Sequence, residues 1–292
     1  MRITENMLTD KYLYNQSRIN ERKIKIQTQM ANNSKLEKLT DDLFGSLEAI
    51  KLNSQIVKKE NYQKNISSAK SFVNTTNYSL ENVASQTQGI ISQITNIDNA
   101  LNANNFATVA ETVRNYLQEI VQSLNEKQND MYIFGGTNFT NKPWDIDASG
   151  KAVTNSTDMG GEIKVQLTPN IKDTINVTGT KIENADLLDT VNDIIDALDA
   201  NTAPDQTLKD RLNSAYNEII AIQSVNGEKL NKLEDINTLL ENQLVDTRES
   251  LSKVEGVDQA ELLVDLEYQD YLLQLSYKLA SSILPKSILD YL

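Results

Sequence analysis

Ile66-Ser67-Ser68-Ala69-Lys70-Ser71-Phe72-Val73-Asn74-Thr75-Thr76-Asn77-Tyr78-Ser79-Leu80-Glu81-Asn82-Val83-Ala84-Ser85-Gln86-Thr87-Gln88-Gly89-Ile90-Ile91-Ser92-Gln93-Ile94-Thr95-Asn96-Ile97-Asp98-Asn99-Ala100-Leu101 is the stretch that decides the fold. Steps of three and four from Ile66 land on Ala69, Val73, Thr76, Leu80, Val83, Thr87, Ile90, Ile94, Ile97 and Leu101. Every one of these positions is apolar except the two threonines, so a heptad seam holds for five repeats. No proline interrupts it, and Gly89 lies off the seam. A helix from about Lys51 to Leu101 would run roughly 75 Å at about 1.5 Å per residue. Such a helix must lie against partners of similar length.

The partners follow in the chain. Asn102-Ala103-Asn104-Asn105 is a turn signal, because Asn tolerates left-handed geometry and bonds its own backbone. A helix over 106–129 then carries Phe106, Val109, Val113, Leu117, Ile120 and Leu124 on one face, which predicts an antiparallel hairpin. Helices resume at about Ala185 with Leu188, Val191, Ile194, Ile195 and Leu198 inward, and Asn201–Asp205 breaks that run. A further seam starts near Thr207 with Leu208, Leu212, Ala215, Ile219 and Ile222. It continues through Leu230, Leu233, Asn237, Leu240, Leu244, Thr247, Leu251 and Val254 until Gly256 stops it. Asp258-Gln259-Ala260-Glu261 opens a last helix that ends before Pro285.

Between 131 and 179 the pattern changes, and six of the 10 glycines fall there. Glu162–Leu167 and Thr174–Thr178 alternate with period two, as half-buried strands do. The fold class expected is mainly α: long antiparallel helices from the N- and C-terminal parts forming a coiled-coil-like rod, with a small β-rich insert. The divisions expected are terminal helices over 1–42 and 256–292, a long-helix rod over 43–130 and 180–255, and the outer insert over 131–179.

Residues 1–40 carry eight Lys/Arg and four Asp/Glu, a net of 8 − 4 = +4, and residues 255–292 carry two and seven, a net of 2 − 7 = −5. Opposite signs favour pairing of the first helix with the last. Each also has an apolar stripe without a local partner. Leu8, Tyr12, Ile19, Ile26 and Met30 form the first, and Leu262, Leu266, Leu273, Leu279 and Ile283 the second. With Ile3, Met7 and the terminal Ile288, Leu289, Tyr291 and Leu292, these are the candidate subunit-interface residues.

Chemistry is excluded more readily than it is found. There is no Cys and no His, which removes thiol and imidazole nucleophiles, bases and metal ligands. A net charge of −13 argues against nucleic acid as a partner. No apolar run approaches a membrane span, and the N-terminus lacks the apolar region of a cleaved signal peptide. Asp41-Asp42 reads as a helix start, and Ile133-Phe134-Gly135-Gly136-Thr137 as a tight turn without phosphate-loop spacing. The Tyr268, Tyr271 and Tyr277 group reads as packing surface. No catalytic, cofactor or metal site is expected.

Several short segments are more specific. Met1-Arg2-Ile3-Thr4 with Asn6-Met7 resembles the opening of the flagellin superfamily, and within it the hook–filament junction family known as hook-associated protein 3. Met131-Tyr132-Ile133-Phe134-Gly135-Gly136-Thr137 with Lys142-Pro143-Trp144 resembles that family's aromatic-Gly-Gly motif. Asn226–Leu233 resembles its returning helix, and Asp258–Glu261 with Ser287-Ile288-Leu289-Asp290-Tyr291-Leu292 its C-terminal end. Thr40, Asp41 and Asp42 keep the capping chemistry of the family's connector, while Leu39 and Leu43 stand where it has proline.

The resemblance implies a structural subunit, exported without a cleaved signal through the type III apparatus with a cytoplasmic chaperone. Such a subunit is extracellular and forms a ring between a neighbouring hook-associated junction protein and flagellin. Its terminal helices line the channel and its β insert faces outward. A flagellin filament subunit is the nearest alternative, and a secreted type III coiled-coil binding protein the next. Membrane insertion is not expected of any of them.

Overall fold

The computed structural model describes residues 5–38, 40, 42–97, 105–155 and 158–283. Its helices are α1 (Glu5–Asn32), α2 (Leu43–Ile97), α3 (Phe106–Leu124), α4 (Gly179–Asn184), α5 (Leu187–Asp199), α6 (Gln206–Glu255) and α7 (Gln259–Ile283). Between α3 and α4 lie three separate antiparallel strand pairs: β1 (Lys127–Gln128) with β2 (Met131–Tyr132), β3 (Trp144–Ile146) with β4 (Ala152–Thr154), and β5 (Lys164–Thr168) with β6 (Ile171–Thr174). Mainly α with a small β-rich middle is therefore the observed class. Contacts divide the chain into two compact units, one from residues 1–58 and 243–292, the other Lys59–Asn242.

The second unit holds the main core. Every described seam position of α2 from Ile66 to Ile97 is buried there, Thr76 and Thr87 included. Those two hydroxyls donate to the carbonyls of Phe72 and Val83 at 3.0 and 2.7 Å, so a polar atom inside the seam is satisfied within its own helix. Leu101 and the turn residues 102–104 lie outside the described residues. The hairpin itself is present. A Cβ on Gly89 would stand 2.8 Å from the Tyr116 ring, so α3 crosses α2 at the one seam-flanking glycine. Val113, Leu117, Ile120 and Leu124 are fully buried.

Helix α2 begins eight residues before the expected Lys51, because the Asp42 carboxylate accepts from the Gly45 N–H at 3.0 Å and caps it. Helix α3 stops five residues short of the expected 129. Asn129 and Asp130 adopt φ 51° and 63°, the geometry of a two-residue hairpin turn between β1 and β2.

The strand expected at 174–178 is corrected: only Thr174 belongs to β6, which pairs with β5 from Thr168↔Ile171 to Lys164↔Thr174. Ile175 through Thr178 are all buried, so the alternation there does not separate an inner from an outer face. The Asn176 side chain takes the place of a strand, accepting from Ile163 N–H at 2.8 Å and donating to Gly161 O at 2.9 Å. The same device recurs. Asn125 brackets the backbone of Trp144 (3.2 and 2.9 Å), and Asn192 brackets that of Ala152 (2.9 Å each way). Two-strand hairpins have unpaired edges, and asparagine amides close these.

The insert has no core of its own. Ile133, Phe134, Trp144, Met159, Leu167 and Val177 join one cluster with α2, α3, α5 and α6. Arg114 of α3 ties it further, donating to Asp199 of α5 at 2.5 Å and to Ser149 O at 3.2 Å. On the other side α6 meets α2 through an ion pair, Lys70 with Glu234, and through Asn226, whose amide donates to Val73 O at 2.9 Å. Helix α6 opens on an Asp205 cap and runs unbroken for 50 residues to Glu255. Gly256 does end it, but not by left-handed geometry. A Cβ there would lie 2.2 Å from Ser252 O, so the chain turns too tightly for any side chain.

Candidate assembly interface

In the first unit α1 packs against α7. The charge asymmetry of the two ends shows in the ion pair of Lys23 Nζ with Asp270 Oδ1 at 2.6 Å. Near the opposite ends of the pair, Gln259 Nε2 donates to Asn33 Oδ1 at 3.2 Å, and Lys35 N–H to Glu255 O at 2.8 Å. Asp258 accepts from the Ala260 and Glu261 N–H groups at 2.9 and 3.2 Å, which starts α7 where the sequence places it.

The two apolar stripes face each other in part. Tyr12 and Ile19 of α1 and Leu262, Leu266 and Leu273 of α7 are partly covered, and Ile26 is buried. Met7, Leu8 and Leu279 remain exposed. Ile3, Ile288, Leu289, Tyr291 and Leu292 lie outside the described residues, as does Asp41; of the Ile283 side chain nothing is described. Thr40 is exposed in a turn, and Asp42 is the α2 cap. The stripes thus find a partner within the chain. Stripes that have no local partner along the chain therefore meet each other, on the pairing that the opposite charges of the two ends favour.

What the sequence reasoning missed is a second stripe. Val264, Tyr268, Tyr271 and Leu275 follow the same three-four spacing one step round α7, and all are 40 % to 65 % exposed. Leu13, Tyr14 and Ile24 of α1 are exposed likewise, and Leu43, Phe44, Leu47 and Ile50 extend the pattern onto the start of α2, Phe44 at 84 %. A two-helix pair buries one face of each helix, so a helix apolar on two faces leaves one uncovered. Contiguous apolar surface left open in this way is uncommon on soluble monomers. The signal was available, since a helix whose apolar residues fill two registers cannot be satisfied by one neighbour.

The motif Tyr132–Thr137 serves another purpose, inside the second unit. Ile133 and Phe134 are fully buried, and Gly136 has φ +64°. Gly135 N–H donates to Tyr132 O, and Asn138 N–H to Gly135 O, which closes the turn. A Cβ on Gly136 would stand 2.7 Å from Met159 O, and one on Gly179 would stand 2.6 Å from Phe134 O. The glycines let three segments of the insert touch backbone to backbone.

Among the described residues no three His, Cys, Asp or Glu side chains gather as a metal site. No described helix is long and apolar enough to cross a membrane.

No protein-family profile matches the chain, and no curated protein does. Solved structures do. A Vibrio parahaemolyticus structure, assigned to the flagellar hook-associated proteins, superposes with TM-score 0.66 at 15% identity, covering 74% of this chain and 100% of that one. The chain shares the fold of the flagellar hook-associated proteins. FlgL of Bacillus cereus gives TM-score 0.57 at 18% identity over 69% of this chain and 99% of its own. Hook associated protein-3 of Legionella pneumophila gives 0.61 at 15% identity over 70% and 98%. At 15% to 18% identity the likeness to these hook-associated structures is one of fold.

Proposed function

We propose that this chain is a structural, non-enzymatic subunit of the bacterial flagellum that joins hook to filament as a ring and serves as the adaptor for filament growth. The observation that carries the proposal is the conjunction of the hook-associated fold with the uncovered second stripe of the terminal helices. A ring subunit needs lateral neighbours. The α1–α7 pair offers apolar side chains on the faces it does not use internally. In this reading residues 1–42 and 256–292 form the channel-lining layer, the long helices the next layer, and the insert the outer surface. The partners are further copies of the chain, the adjoining junction protein, flagellin, and a cytoplasmic chaperone that delivers the unfolded subunit to the export apparatus.

The test is genetic and visual. A deletion strain should carry hooks without filaments and release filament protein into the medium. Complementation with the intact gene should restore filaments. Complementation with a Val264→Ser/Tyr271→Ser/Leu275→Ser variant, secreted at normal levels, should not. Normal filaments in the deletion strain would refute the junction role, and normal filaments with the triple variant would refute the role of the stripe.

A further inference from the structure

A lysine ammonium ion has no lone pair to give, and it becomes a nucleophile only where its surroundings favour the free amine. Two kinds of surrounding do so: an apolar recess that withholds water, and a second cation close by. Lys229 of α6 has both.

It lines a recess of about 270 Å3 together with Lys181 of α4, Val177 and Ile222. Val177 and Ile222 are buried, Lys229 is half-buried, and Lys181 is exposed. Among the described residues neither lysine forms an ion pair. The carboxylates whose charge reaches Lys229 are Asp173 and Glu162, and both are already held, by Lys232 at 2.5 Å and by Lys164 at 2.8 Å. Glu218 lines the same recess, but 229 − 218 = 11 residues back along α6, a rise of roughly 16 Å. Lys232, three residues on, adds a further positive charge. Burial, and then the charge of Lys181, hold the Lys229 ammonium below the usual lysine range.

Other lysines of the chain are placed in the opposite way. Lys151, Lys164 and Lys253 are bonded to Asp196, Glu162 and Glu249, and each ammonium is held above the usual range. An amine that is paired with a carboxylate keeps its proton, and with it loses its reactivity.

We infer that Lys229 is the amine of this chain that short-chain acyl phosphates modify first, with Lys181 drawing in the phosphate and Val177 and Ile222 receiving the acyl group. The Nζ lone pair attacks the acyl carbon and a C–N bond forms. The C–O bond to phosphate breaks, phosphate leaves with the electron pair, and the proton shed by the amine passes to it. The product is a neutral amide, which removes one of three neighbouring cations and sets a small apolar group in an apolar recess. The reaction does not depend on the flagellar reading, and its failure would leave that reading untouched.

The experiment treats the full chain with acetyl phosphate at about pH 8 and ranks the modified lysines over time by peptide mass spectrometry. Lys229 should come first among the described lysines. It should lead Lys151, Lys164 and Lys253 by roughly tenfold, the effect of about one unit in ammonium acidity. Its rate should also level off at a lower pH than that of Lys253, because a depressed ammonium sheds its proton earlier. Lys181→Gln removes both the neighbouring cation and the attraction for phosphate. It should slow acetyl phosphate at Lys229 by roughly tenfold, but the uncharged N-hydroxysuccinimide ester of acetic acid by only about threefold. In the unaltered chain about 1 M salt should slow acetyl phosphate more than the ester, which tests the same attraction without a substitution. Modification at Lys229 no faster than at Lys253 would overturn the proposal. So would an unchanged rate in Lys181→Gln, or equal losses with the two acyl donors.

Discussion

Leu80→Ala is the substitution that tests the packing most directly. Leu80 is fully buried at the centre of the α2 seam, between Thr76 and Val83, with no polar atom to compensate. Truncating a leucine in such a place removes transfer free energy and leaves a cavity that long packed helices close poorly, a loss of about 2–5 kcal/mol. The unit that contains it spans Lys59–Asn242, 242 − 58 = 184 residues. For a domain of that size each kcal/mol moves the midpoint by roughly 2–4 °C, so the melting temperature should fall by roughly 4–20 °C. The chain supplies its own reporter: its one tryptophan, Trp144, is fully buried in the same unit, so its fluorescence follows the melting of that core. Phe44→Ala is the matched control, because Phe44 is 84 % exposed and should shift the Trp144 transition by no more than about 0.5 kcal/mol. Equal small shifts for the two variants would mean that the seam is not packed in solution, and the account of the core would fail.

Asn192→Asp replaces the amide that donates to Ala152 O with a second acceptor, and should cost about 1–3 kcal/mol by the same melt; an unchanged midpoint would show that the asparagine closure of β4 is idle. Gly136→Ala forces a Cβ to within 2.7 Å of Met159 O at φ +64°, so it should destabilise by at least about 1–3 kcal/mol, whereas Gly227→Ala, with nothing near its Cβ, should be neutral or stabilising. At Asp173 burial favours the protonated acid, but the hydrogen bond and charge of Lys232 and the Thr174 N–H outweigh it and hold the carboxyl below 3.8. A depressed acid contributes stability above its unfolded value and loses it as the pH falls through the folded one, so stability should drop below about pH 4, and Asp173→Asn should flatten that slope. Melts from pH 5 to 2 with identical slopes for both proteins would remove the ion pair from the account. Asp258→Ala should speed amide exchange in the first turn of α7, a cap loss of about 0.5–2 kcal/mol, without moving the Trp144 transition.

How much of this is legible in the residues depends on what each signal encodes. The α2 seam is fully legible because burial at three-four spacing is a property of one helix and does not depend on what covers it. The start of α2 is legible through Asp42, and that of α7 through Asp258, because a cap is a local bond. The segment 174–178 misleads for the opposite reason. Its alternation is real, but covered from both sides it needs no strand partner, and Asn176 supplies the bonds from a side chain. Helix α3 ends before the expected 129 although Lys127 and Gln128 are good helix formers, because Asn129-Asp130 imposes a turn that outweighs them. At the interface the leucines of α7 announce one apolar register by themselves, whereas the second is carried largely by Tyr268 and Tyr271, whose half-polar rings mask their register with Val264 and Leu275.

The long reach between Lys70 and Glu234 sets a schedule for the chain as well as a geometry. Those residues are separated by 164 positions, and Asn226 and Val73 by 153. At roughly 5–20 residues per second, synthesis of that interval takes roughly 8–33 s. Throughout it the α2 face that α6 will cover stands finished and bare, because its complement does not yet exist. The same delay recurs whenever the polypeptide is delivered end-first through a narrow passage. A chain whose halves wait so long for each other cannot be completed piecemeal. It stays open until its late segment arrives, which is the condition a molecule must satisfy if it is to be threaded out before it is folded.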